Sequence, residues 1–174
     1  MPCRFASSAA CFALLVVACS PALDWREFVP EGAGIGVSFP CRPDRHSRVV
    51  MIAGTRMQME MLTCNAGGAS FGLVFADAAE PANIGASLAA LRTAAADNLH
   101  GVSAPGAELR VRGMTPNEQA TSVIIDGRLP DGRAVREHAS FFTRGLRIFQ
   151  ATVIGAEPAP QVVETFITSL KFPE

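Results

Sequence analysis

Three histidines, His46, His100 and His138, carry whatever acid–base chemistry this 174-residue chain offers. His138 has the company a hydrolase would need, with Ser122 or Ser140 as nucleophile and Asp126 to orient the base. All four fall in segments that read as strands. Side chains on one sheet face point in parallel rather than converging on a substrate. Folding the chain about Asp131 also sets Arg136 opposite Asp126, so a cross-strand ion pair accounts for that carboxylate. His100 follows a helical segment, where a cation complements the helix dipole without any reaction. The reading is a protein that is not an enzyme.

A second set of candidates belongs to soft-metal chemistry. Met57, Met59 and Met61 fall on one side of an alternating segment, with Met51 and His46 nearby. Thioethers beside an imidazole suit Cu(I), so Met57, Met59, Met61 and His46 are the candidate metal ligands and a copper-handling module the alternative function. Against this, Gln58 and Glu60 alternate outward. The methionines then fill the inward face of an edge hairpin, a common use of this flexible side chain. The preferred reading has no metal and no cofactor. The glycines of Gly32 to Gly36 precede a strand rather than linking a strand to a helix, so they make a turn and not a phosphate cradle. Arg128, Arg133, Arg136, Arg144 and Arg147 cluster around the late hairpins, interleaved with Asp126, Asp131 and Glu137. Such a set is a solvated rim more often than an anion site.

These residues must be positioned by a sheet. Ile35, Val37 and Phe39 alternate up to Pro40, as a first strand would. SRVVMI and RMQMEML flank a turn at Ala53-Gly54-Thr55 and predict a hairpin. Ser70 to Ala76 follows a Gly67-Gly68 turn as a further strand. From Pro81 to His100 the period changes. Ile84, Leu88, Leu91, Ala95 and Leu99 form a helical stripe closed by Gly101. Strands are expected again at Glu108 to Arg112, Ala120 to Arg128, Ala134 to Phe142 and Leu146 to Ile154. Pro158 and Pro160 then introduce a helix with Val163, Phe166, Ile167 and Leu170 on one face. In the late strands Val135, Ala139 and Phe141 face one way, Phe142 and Ile124 the other. Neither face is polar, so both are covered.

The N-terminus reads as an export signal. Arg4 and the terminal amine precede an apolar run, Ala9 to Ala18, of about half the roughly 20 residues a membrane span requires. Val16-Val17-Ala18-Cys19-Ser20 resembles the lipobox of bacterial lipoproteins. That resemblance implies cleavage before Cys19, acylation at Cys19, and an envelope protein anchored by lipid and facing the periplasm. Ser20 after the cysteine favours the outer membrane over the inner. The other outcome, cleavage after Ser20 or Ala22, would release a soluble protein. Removing residues 1–18 leaves 156, enough for one domain, with a formal charge of about −2. That balance argues against nucleic acid as a partner. Cys3 and Cys11 leave with the signal and Cys19 takes the lipid. Cys41 and Cys64 remain in an oxidising compartment at positions the hairpin brings together, so they are expected to form a disulfide.

FVPEGAGIGVSFPCRP, LPDGRAVREHASFFTRGLRIFQATVIG and VVETFITSLKF resemble, in order, the opening, late hairpin and closing helix of bacterial PsbP-like domains. The resemblance covers about Phe28 to Phe172. Cys41 stands where that family often has glycine, and the chain has no tyrosine. What it implies is an α/β/α sandwich that binds or assists assembly, with an envelope protein or a small ligand as partner. The expectation is thus α+β, a mostly antiparallel sheet covered by helices behind a cleaved signal. Its parts are a signal at 1–18, a tether at 19–27 and one domain at 28–174.

Overall fold

The computed structural model describes residues 23–173. The proposed signal and Cys19 lie outside them. Nine strands, a 3-10 turn at Pro81–Asn83 and two helices follow in the order β1 (Arg26–Phe28), β2 (Val37–Phe39), β3 (Asp44–Ile52), β4 (Thr55–Ala66), β5 (Ala69–Asp77), α1 (Ile84–Asn98), β6 (Val102–Pro105), β7 (Thr121–Arg128), β8 (Ala134–Arg144), β9 (Arg147–Gly155) and α2 (Pro160–Thr168). Seven strands form one antiparallel sheet in the order β3-β4-β5-β9-β8-β7-β6, and β1 pairs with β2 beside it. The architecture is α+β, mainly antiparallel sheet with two helices. No helix of the described residues is long and apolar enough to cross a membrane.

Both faces of the sheet are buried, by different means. The stripe Ile84, Leu88, Leu91, Ala95 and Leu99 lays α1 on one face, against Met57, Met59, Ala76, Val123, Ile125, Val135, Ala139, Phe141 and Ile148. The other face carries α2 and the β1–β2 pair, and its core is aromatic. Phe166 of α2 meets Phe39 and Phe71 edge-on, with ring centroids 5.3 and 5.4 Å away, while Phe142 stacks on Phe149 at 5.1 Å. Alternation along β8 thus sends Phe141 to one helix layer and Phe142 to the other, as expected from the sequence.

Some expected elements shift. Strand 6 is Val102–Pro105, paired with β7, and Glu108 to Arg112 is not a strand. Leu109 and Val111 do turn inward onto the aromatic core, so the alternation was real. It found no ladder partner apart from one bridge, Arg112 to Lys171. The helix α1 is closed at His100, which takes the left-handed conformation (φ +46°) usually left to glycine. Its N–H bonds the Asp97 carbonyl at 3.0 Å and that of Gly101 bonds the Ala96 carbonyl at 2.9 Å. Glycine is needed nearby for another reason. A Cβ on Gly127 would lie 2.5 Å from the Leu99 carbonyl oxygen, so only glycine lets the end of α1 cross β7. Part of the stretch expected as tether also belongs to the fold. The Asp24 N–H bonds the Pro40 carbonyl, Trp25 packs edge-on against Phe71 at 5.8 Å, and Arg26 and Glu27 sit in β1. The indole is large enough to repay ordering these residues by burying apolar surface.

Candidate functional site

The helix α2 is only nine residues long and, seated on the aromatic core by Phe166, leaves part of its sheet face uncovered. Beside it runs a groove of about 450 Å³, within the range of small-molecule sites. Its floor comes from β7 and β8, where register places Ser122 opposite Ser140 and Ile124 opposite His138. Val163 and Ile167 of α2 form one wall, and the Gly106–Arg110 loop forms the other. That loop is held down by the Gly106 N–H, which bonds the Ser122 carbonyl at 3.0 Å.

Polar groups on the floor of this groove are few and uncharged, and the charged lining residues Glu108, Arg110 and Glu164 are exposed. The hydroxyls of Ser122 and Ser140 lie 2.8 Å apart and share one hydrogen bond, which leaves one O–H proton to donate. Burial, with the Arg136 cation nearby, lowers the pKa of His138 below its ordinary value, so the half-buried imidazole is neutral at neutral pH. A neutral ring offers one donor and one acceptor. At the mouth Arg110 donates to Glu108 at 2.6 Å, and the Glu164 carboxylate of α2 also borders the groove. The groove thus combines an apolar lining with a hydroxyl pair and an imidazole on its floor and charged side chains at its edge.

The side chains weighed from the sequence as a hydrolase grouping have other partners. The serines bond each other, and the Asp126 carboxylate is held by Arg136 at 2.7 and 3.1 Å, the cross-strand pair expected from the sequence. Comparison with known protein families finds no match, and comparison with curated proteins finds none.

The remaining candidates are dispersed or spent. Met57 and Met59 are buried in the α1 layer and Met61 is half-buried. His46 is exposed, directly across the ladder from Met61. Two of the three thioethers are thus occupied with packing. Among the described residues, no group of three or more His, Cys, Asp or Glu side chains is placed to hold a metal. The arginines do not form a patch. Arg128 bonds the Gly132 carbonyl, Arg133 pairs with Asp131, Arg136 with Asp126 and Arg147 with Asp77, while Arg144 bonds the Gly113 carbonyl. Arg144 and Arg147 lie at the opposite end of the late strands from the other three. Cys41 and Cys64 are joined, with sulfurs 2.08 Å and Cα atoms 6.0 Å apart.

One functional group escaped the sequence reading. Glu137, taken with the rim acids, instead shares the β8 face of Val135 and Ala139 and is buried in the α1 layer. Burial raises its carboxyl pKa to about 7, with the Gln150 amide pulling the other way. Strand parity alone could have found it, since every second residue from Val135 to Phe141 is buried.

Proposed function

We propose that this chain is a lipid-anchored protein of the bacterial cell envelope whose domain binds a small uncharged, largely apolar ligand in the groove between α2 and β7–β8. The groove carries this reading: a mostly apolar site with a shared hydroxyl pair and a neutral imidazole on its floor, its charged side chains confined to the exposed edge. The anchor is supported by the lipobox-like sequence ending at Cys19 and by the cysteine pair that suits an oxidising compartment. The PsbP-like resemblance supports a binding domain, since it implies an antiparallel sheet with a helix layer on each face. Facing the periplasm, most simply from the outer membrane, the domain would act as a binding or assembly-assisting module rather than as a catalyst.

Two experiments test the parts separately. Replacing Cys19→Ala should move the protein from the membrane to the soluble envelope fraction, and unchanged membrane fractionation would remove the anchor. The neutral apolar dye N-phenyl-1-naphthylamine should brighten on binding the purified domain, and Ile167→Glu should abolish that signal without unfolding the protein. Equal dye binding by that variant would remove the groove.

A further inference from the structure

If Cys19 is acylated, as the preceding reading holds, the fold also determines which of its surfaces meets the bilayer. From Cys19 to Leu23 the chain spans at most about 14 Å. Leu23 is where the described structure begins, and its side chain lies against Gly67 in the β4–β5 turn. That turn belongs to one end of the sheet. Register gathers there the close of β9 at Gly155, the start of β8 and the end of β7, joined by the Leu129–Arg133 turn. The opposite end holds the Ala53–Gly54 turn of the β3–β4 hairpin and the Gly145–Leu146 turn between β8 and β9. Twelve residues of β4 separate the two ends, about 40 Å of extended chain.

We infer that the blunt end formed by Gly67, Gly68, the Leu129–Arg133 turn and the segment after Gly155 is a membrane-facing surface, seated against the phospholipid bilayer that carries the anchor. The tether is too short to let the far end take its place. The near end also presents polar groups suited to headgroups: the pairs Arg133–Asp131 and Arg136–Asp126, and Arg128, which bonds the Gly132 carbonyl. Of the exposed apolar side chains, Val49, Met51 and Leu146 fall at or towards the far end, whereas Val102, opposite Asp126, lies level with the near end.

The test uses the full lipidated chain in phosphatidylcholine vesicles with a rhodamine-labelled headgroup as energy acceptor. A donor dye is attached through an azide-bearing residue placed at Asp131 or at Met51, both exposed. The expected result is loss of most donor emission at 131 and little loss at 51. Equal loss at both positions, or greater loss at 51, would overturn the orientation while leaving the anchor intact. A chain that carries no lipid at Cys19 and does not float with vesicles would overturn both.

Discussion

The two faces of the sheet are covered by helices of different length, and that difference locates the function. On one face α1, with fifteen residues, buries a mainly aliphatic and methionine core with Phe141, and Glu137 is buried on the same face. On the other, α2 has nine residues and a tightly packed aromatic cluster, and beyond its edge the serine hydroxyls and His138 remain reachable. The long helix leaves its buried polar group enclosed, whereas the short one leaves polar groups available to a ligand. A buried acid and a binding groove thus sit back to back on adjacent residues, Glu137 and His138, because strand parity sends them to opposite layers.

The contrast can be broken most severely on the aromatic side. Phe166→Ala removes the ring that seats α2 and should cost about 3–5 kcal/mol in denaturant unfolding, taking dye binding with it. On the α1 side the largest effect is one of pH. The folded Glu137 carboxyl titrates at about 7 and the unfolded one at about 4.5. The native state therefore holds the extra proton between those values, and stability falls as pH rises from 4.5 to 7. The full loss is about 3 kcal/mol at pH 8 relative to pH 4. Glu137→Gln should flatten this component of the pH–stability curve and raise stability at pH 8, with no change in the groove.

Also on the aromatic side, replacing Cys41→Ser together with Cys64→Ser opens a loop of sequence separation 23 and should cost about 3 kcal/mol in the chain-entropy treatment. Within the groove, Ser140→Ala deletes one hydroxyl of the pair and should weaken a hydrogen-bonding ligand by about tenfold, with little change in midpoint denaturant concentration. The smallest effect belongs to the surface. Asp126→Asn breaks an exposed ion pair with Arg136 and should leave both stability and dye binding nearly unchanged.

Much of the scaffold was legible because its signals are local. The spacing from Ile84 to Leu99 placed α1, the alternation of Met57, Gln58, Met59 and Glu60 placed β4, and folding about Asp131 paired Arg136 with Asp126. The less legible parts depend on tertiary context. Strand β6 has no buried residue and ends in proline, so only its partner β7 makes it a strand. His100 adopts a left-handed backbone because α1 must end where β7 passes beneath it, which its own side chain does not announce. Ser122 or Ser140 with His138 and Asp126 is the hydrolase grouping that the sequence offers and strand geometry disfavours. Their neighbours could be found from strand pairing, but the groove that Ser140 and His138 border, and Asp126 does not, exists only because α2 stops short.

The central claim, that binding belongs to the face α2 leaves open, is tested most directly by mapping backbone amide shifts while N-phenyl-1-naphthylamine is titrated into the labelled domain. The account predicts shifts concentrated at Ser122, Ile124, Ser140, Val163 and Ile167, with Ser87 and Leu91 on α1 unmoved. Shifts centred on α1, or on the Met57–Met61 hairpin, would contradict it.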